Sequence, residues 1–322
     1  MRAAFLVFAV TLLVAAGPPA GSAHRAGGGL VALVTAEGEN SLVAVSLPDG
    51  RVIRRVTLPA DPENVVAQAE GPAVVVSSKG HAVTVLAWHS LRIVATFRDF
   101  RSPHLAAITP DAKWAYVTDD GTGYLSVIDL ARLRLVRRLY VGLGAHHLSF
   151  SGDGRRLWIA LGERARRIVV VNTATSDRPR VRTTFDPGFA AHDLAFSPDG
   201  RRVWVTSDAD GGVRVLDAAT HHLHYTVVGG TPPQHLAFGR GDVAYVTSGY
   251  GNTIEMVDSR NGRVLRRVAA PHGSFNVTTL AGTVLTSSLL RGTVAEFDSR
   301  LHLLRTVEVA SATRDVAGSV WP

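Results

Sequence analysis

One sequence unit recurs along this chain, and its clearest copy begins at residue 192. That copy reads HDLAFSPDGRRVWVTS over 192–207 and leads into a second apolar run at 212–217. The segments 103–129 and 234–258 repeat the same order of apolar runs and turn residues. Self-similarity at a fixed period is typical of repeat architectures, so further copies of the unit are expected along the chain.

The alignment yields seven units of nearly constant length. Their second residues lie 39 to 46 positions apart and are Asn64, His104, His147, Asp193, His235, Asn276 and Asp315. Each complete unit holds four short β-rich runs separated by Gly or Asp turns, a period and content typical of β-propeller blades. We therefore predict an all-β, seven-bladed β-propeller with four-stranded antiparallel blades.

The two ends of the chain are predicted to share one blade. Residues 30–58 supply three β-rich runs, whereas the other units supply four, and the missing innermost run lies at 315–320. Pairing this C-terminal strand with the N-terminal three closes the ring and leaves no inner sheet edge unpaired.

Three copies carry a short motif on the second strand of the unit. They read YVTD at 116–119, WVTS at 204–207 and YVTS at 245–248, and they resemble the YVTN propeller repeat, with Asp or Ser in place of its final Asn. The resemblance covers residues 30–320 and is strongest in 103–260. It implies a seven-bladed propeller and, through YncE-like members, export. Lactonase-type and quinoprotein-dehydrogenase-type propellers are similar, but none of their catalytic motifs can be placed on this chain.

The N-terminal residues read as a targeting segment. A basic start, an apolar run from Phe5 to Ala16 and small residues at 21–23 predict a signal peptide over 1–23, cleaved near Ala23. We expect a secreted or periplasmic protein whose residues 24–322 form a single propeller domain, with no membrane span and as a monomer. The chain contains no Cys, so neither a lipid anchor on Cys nor a disulfide can form.

The aligned column of second residues is the candidate site. Inner strands converge on the central channel, so the seven side chains should form a polar ring at one channel mouth, together with the preceding Glu63, His146 and His192. Imidazoles such as His104, His147 and His235, with carboxylates, suit zinc or copper, whereas Asn and Asp with Glu63 suit calcium. Solvation of a water-filled channel is the alternative explanation of this column.

Two other polar patterns have structural explanations. In most units the third strand ends in a residue whose short side chain accepts hydrogen bonds, which predicts a turn in which that side chain binds backbone N–H groups. These residues are Ser46, Asp129, Asn172, Asp217, Asp258 and Asp298. Arginine pairs recur on the predicted outer strands at 54–55, 137–138 and 266–267, where charge protects a sheet edge. With a net charge of +7, such a rim, or the arginines at 164–167, could also bind a polyanion.

Function is less constrained than fold. The chain has no Cys nucleophile, no HExxH, no GxSxG and no phosphate-binding glycine loop before a helix. We therefore expect a binding protein rather than an enzyme, one that holds a small molecule or a protein partner at the loop-rich face around the polar mouth. The alternatives are a lactonase-like hydrolase or a metal-assisted oxidoreductase at the same mouth, and polyanion binding by the arginine-rich rim.

Overall fold

The structure is a computed structural model that describes residues 29–229 and 231–322. The predicted signal peptide, 1–23, and its cleavage position lie outside the described residues. Within the described part of the chain, no helix has the length and apolar character needed to cross a bilayer.

Strands account for nearly all of the regular structure, with one short 3-10 turn at Glu37–Glu39. The first four blades are built from β1 (Gly29–Ala36), β2 (Ser41–Ser46), β3 (Val52–Thr57), β4 (Pro62–Ala67), β5 (Ala73–Ser77), β6 (Ala82–Leu86), β7 (Ile93–Phe97), β8 (Pro103–Ile108), β9 (Trp114–Asp119), β10 (Tyr124–Asp129), β11 (Arg134–Tyr140), β12 (Ala145–Phe150), β13 (Arg156–Leu161), β14 (Ile168–Asn172) and β15 (Arg180–Phe185).

The last three blades and the closing strand follow the same pattern. They contain β16 (Leu194–Phe196), β17 (Arg202–Ser207), β18 (Gly212–Asp217), β19 (Leu223–Val227), β20 (Leu236–Phe238), β21 (Val243–Ser248), β22 (Thr253–Asp258), β23 (Val264–Ala269), β24 (Thr278–Leu280), β25 (Thr283–Ser288), β26 (Thr293–Asp298), β27 (Leu303–Glu308) and β28 (Val316–Trp321).

These strands form seven antiparallel four-stranded sheets, which confirms the predicted seven-bladed propeller. The first sheet has the order β28-β1-β2-β3, so the C-terminal strand is the innermost strand of blade 1, as the run at 315–320 predicted. Its register pairs Leu30 with Val320 and Leu33 with Ala317. Blades 2 to 7 each use four consecutive strands, starting with β4, β8, β12, β16, β20 and β24.

The core lies between neighbouring blades, and the middle strands contribute to it on both faces. In β13, Trp158 packs in one apolar cluster with Val203 of blade 5, whereas Leu157 and Ile159 pack in another with Tyr116 of blade 3. Successive side chains of a strand point to opposite faces. A strand buried on both faces therefore reads as a continuous apolar run, which explains why these segments lack polar alternation.

The threonine of the repeated motif joins adjacent blades near the channel mouth. Thr118 donates its hydroxyl to the carbonyl of His146 in the next blade at 2.7 Å, and Thr206 donates to the carbonyl of Gln234 at 2.7 Å. Thr247 makes the equivalent bond to the carbonyl of Phe275. The motif residue therefore positions the start of the next inner strand, where the candidate site lies.

Blade 4 has Ala160 where the motif has Thr, and it is joined to blade 5 in another way. Ala165 and Ala191 exchange two backbone hydrogen bonds, at 2.7 and 2.9 Å. This backbone bridge replaces the missing hydroxyl bond and orders the segment that precedes His192.

Candidate metal site at the channel mouth

The starts of the inner strands surround a cavity of about 300 Å³. Nine of the ten predicted site residues line it: Glu63, Asn64, His104, His146, His147, His192, His235, Asn276 and Asp315. The tenth, Asp193, does not line the cavity; its carboxylate lies beside Nδ1 of the His235 ring. The structure thus brings together residues that the repeat alignment placed in one column.

Five imidazoles from blades 3 to 6 form the polar half of this cavity. His104 and His146 stack with ring centroids 3.6 Å apart. The ring of His147 lies centrally, with centroid distances of 4.7 Å to His146, 4.5 Å to His192 and 5.1 Å to His235. We refer to these five residues as the histidine cluster.

Four rings of the cluster are oriented by a contact to Nδ1. His146 Nδ1 lies 2.9 Å from Asp120 Oδ2, and His192 Nδ1 lies 3.0 Å from the carbonyl oxygen of Glu163. His104 Nδ1 is 3.3 Å from a carboxylate oxygen of Glu63, and His235 Nδ1 is 3.5 Å from one of Asp193. The hydrogen bonds of His146 and His192 select the ring tautomer and leave Nε2 for a ligand, as in most metal sites built from histidine, and the other two contacts place a carboxylate beside Nδ1.

His147 differs from the other four rings. It is 3% exposed, and its Nδ1 is buried without a hydrogen-bond partner among the described residues. A buried polar atom without a partner is costly and requires an explanation, of which a bound ion is one. The central ring of the cluster is therefore the one whose hydrogen-bonding capacity the protein does not satisfy.

Burial favours the neutral form of three rings, those of His104, His147 and His192. Burial lowers the pKa of His104 and of His147 well below the ordinary imidazole value, and it lowers the pKa of His192 in the same direction. Burial raises the pKa of Asp120, but the hydrogen bond and the charge of His146 outweigh it and hold that pKa below its usual value. Neutral imidazole is the form that binds metal ions.

The donor set fits a transition-metal ion. Two groups of three rings place one candidate ligand atom each within 4.8 Å of one another: His104, His146 and His147, and His147, His192 and His235. Ligand nitrogens around a tetrahedral zinc ion lie about 3.4 Å apart, given Zn–N bonds of about 2.0 to 2.1 Å. The rings would therefore move inward by at most about 1 Å on binding. Nitrogen donors suit zinc and copper rather than calcium.

The oxygen-bearing residues of the column bind backbone instead. Asp315 Oδ2 accepts hydrogen bonds from Asn64 Nδ2 at 2.7 Å and from the N–H of Val65 at 3.0 Å. Asn64 Oδ1 accepts from the N–H of Ala106, and Asp193 Oδ2 accepts from the N–H of Leu236. Each bond joins one blade to the next, so these oxygens hold the ring of blades together and the geometry does not favour a calcium site.

Sequence reasoning missed several residues around the mouth. Asp120, Glu163, Tyr250 and Leu289 all follow the second strand of their blades, and Phe275 precedes an inner strand. The hairpin after the second strand lies at the same end of the blade as the start of the inner strand. Position relative to the second strand is therefore the signal that could have identified four of them.

The arginine pairs of the outer strands contact neighbouring groups. Arg54 donates to the carbonyl of Ser90 at 2.6 Å, and Arg55 lies 2.6 Å from a carboxylate oxygen of Glu39. Arg267 forms an ion pair with Glu255 at 2.5 Å. These contacts support a structural role on the outer edge, and polyanion binding stays a prediction.

Comparison with solved structures shows the fold. The chain is similar to a protein of unknown function from Desulfotomaculum acetoxidans (TM-score 0.76, 14% identity, 89% of this chain and 98% of that chain). It is also similar to a protein from Lactobacillus plantarum (TM-score 0.75, 13% identity, 92% and 100%) and to apo AztD from Citrobacter koseri (TM-score 0.70, 9% identity, 92% and 99%).

No protein-family model and no curated protein matches the sequence. These three solved structures are each under 25% identical to this chain, so they establish the propeller fold and nothing about function. The residues at the channel mouth are therefore the main indication of function.

Proposed function

We propose that this protein is an exported YVTN-type propeller that binds a transition-metal ion of the zinc or copper class at its channel mouth. The observation that carries the proposal is the histidine cluster, in which four rings each contact the ring of His147 within one cavity. A wet channel needs polar lining, but solvation alone does not account for four rings whose Nδ1 atoms are held in place around a buried fifth.

The scaffold supports binding because it orders the donors before an ion arrives. The rings come from blades that are tied together by Thr118 and Thr206 and by the backbone bridge at Ala165. Donors held near their binding geometry lose little conformational entropy when a ligand binds. Burial also lowers the pKa of His104, His147 and His192, so an ion competes less with protons at these three rings.

Export is part of the same proposal. The basic and apolar residues of 1–16 and the small residues before His24 support it, and the absence of Cys suits an oxidising compartment where a free thiol would react. Mass spectrometry of the protein recovered from the extracytoplasmic fraction tests this point. We expect an N terminus close to His24, whereas an intact Met1 in a cytoplasmic fraction would contradict it.

Calorimetric titration of the metal-free protein with zinc tests the binding proposal. We expect saturable binding by the parent and its loss in the variant that combines His104→Ala, His147→Ala and His235→Ala. His222→Ala is the matched control, because it removes an exposed imidazole outside the histidine cluster, and it should bind zinc like the parent. Equal binding by the triple variant and the parent would refute the site.

A second candidate function is metal-assisted hydrolysis at the same mouth. Three imidazoles on one ion leave a coordination position open for water, whose pKa a zinc ion lowers towards neutrality. The rest of the cavity, lined by Tyr250, Phe275, Leu289 and Arg314, offers room for a substrate beside it. Zinc-loaded protein should then hydrolyse some member of a lactone and ester panel and lose this activity on His147→Ala; bound zinc without turnover would favour the binding protein.

A further inference from the structure

We propose that the histidine cluster holds two metal ions, one on each side of the His147 ring, which bridges them. This inference rests on the proposed function and specifies the number and arrangement of the ions. One ion would be held by His104, His146 and His147, and the other by His147, His192 and His235.

The candidate ligand atoms of the histidine cluster fall into two groups. The two groups of three share His147 alone, and within the described residues no set of four of these rings brings its ligand atoms within 4.8 Å of one another. The donors of a single tetrahedral zinc ion must lie about 3.4 Å apart. A single ion bound by rings of both groups would therefore have to draw the His104 pair and the His192 pair together across the cavity, whereas an ion in each group would not.

The His104–His146 pair and the His192–His235 pair are held in place from different blades. The rings of His104 and His146 are held by carboxylates of blades 2 and 3, those of Glu63 and Asp120. The rings of His192 and His235 are held from blades 4 and 5, by the carbonyl of Glu163 and the carboxylate of Asp193. Closing both pairs onto one ion would break these contacts, whereas an ion at each pair preserves them.

The ring of His147 differs from the other four rings in its hydrogen bonding. In each of the other rings one nitrogen is occupied by a protein contact, but the Nδ1 of His147 is buried and has no hydrogen-bond partner. Its Nε2 also has no hydrogen-bond partner among the described residues, and one ion is assigned to each of the two nitrogens. Binding through both requires that the ring N–H proton leaves to solvent; no electron transfer is involved. Ions on opposite sides of one imidazolate would lie about 6 Å apart, given metal–nitrogen bonds of about 2.0 Å.

Metal stoichiometry in matched variants tests the arrangement. After saturation with zinc and removal of free ion, elemental analysis should give two ions per parent chain and two per His222→Ala control. His104→Ala and His192→Ala should each retain one ion, because each variant leaves one group of three intact. His147→Ala should retain neither tightly, and circular dichroism verifies that the variant is folded; His147→Gln replaces it if it is not.

The outcomes separate this inference from the proposed function. One ion per parent chain, with His104→Ala and His192→Ala each weakening that ion, would overturn the two-ion centre and leave metal binding intact. No ion in the parent would overturn both. Electron paramagnetic resonance of copper-loaded protein checks the bridge directly: we expect a spin-coupled copper pair, and two magnetically isolated copper ions would contradict the bridging role of His147.

Discussion

Replacing Thr118 with Val should weaken both the fold and the metal site, because one hydroxyl serves two blades. The side chain is fully buried. Its hydroxyl donates to the carbonyl of His146 at 2.7 Å and accepts from the N–H of Leu105 at 3.2 Å. The first bond positions the start of β12, which carries His146 and His147, and the second holds β8, which carries His104.

The magnitude follows from the groups that the substitution leaves unpaired. Val preserves the shape of Thr but removes the donor for one buried carbonyl and the acceptor for one partly buried N–H. Each unsatisfied group costs about 1 to 3 kcal/mol, so we expect the free energy of unfolding to fall by about 2 to 6 kcal/mol. The rings nearest the bond should also lose their preset geometry, so the affinity for zinc should fall as well.

Urea unfolding followed by circular dichroism measures the first effect, and calorimetric titration with zinc measures the second. Thr96→Val is the matched control, since Thr96 lies exposed on the outer strand β7, where a substitution should change stability by less than about 0.5 kcal/mol. If Thr118→Val were as stable as this control, the account of the motif threonine as a tie between blades would be wrong.

Three further predictions concern the site and the ring. Asp120→Ala removes the carboxylate on His146 Nδ1 and should lower zinc affinity about 10- to 100-fold by calorimetry; unchanged affinity would show that this contact does not orient the ring. Backbone N–H bonds hold the pKa of Asp217 at about 2, so its stabilising effect is complete above its ordinary value of 3.8 and is lost as the pH falls towards 2; thermal melts of Asp217→Asn should depend less steeply on pH in that window than those of the parent. Deleting 315–322 removes β28 and opens blade 1, so it should abolish cooperative thermal unfolding, and a cooperative melt near the parent midpoint would contradict ring closure.

The fold could be predicted from the repeat because each blade is specified by features that lie close together in sequence. The apolar runs, the Gly and Asp turns and the 39- to 46-residue spacing were enough to predict seven sheets, and the three-run start at 30–58 was enough to assign β28 to blade 1. Five of the six predicted turn acceptors bind a backbone N–H of their turn. Asp217 Oδ1, for example, accepts from the N–H groups of Ala219 and Thr220 at 3.0 and 2.9 Å. Such contacts span two or three residues and are therefore visible in sequence.

The site was only partly predictable because its details depend on contacts between blades. The column placed His104, His147 and His235 at one mouth, but it could not distinguish them from Asp315, whose carboxylate binds the backbone of Val65. That distinction requires the register between two inner strands. Asp120, which contacts His146, was missed because it lies in a hairpin outside the aligned column of inner-strand residues. The lack of a hydrogen-bond partner for His147 Nδ1 depends on how the blades bury this atom, which the sequence does not show.

The location of zinc in crystals of the metal-loaded protein tests the central claim most directly. Anomalous difference maps collected at the zinc absorption edge should show density inside the histidine cluster, about 2.0 to 2.1 Å from nitrogen atoms of its rings, with one peak on each side of His147. Anomalous density confined to exposed imidazoles such as His222, with none among the five rings of the cluster, would contradict the account.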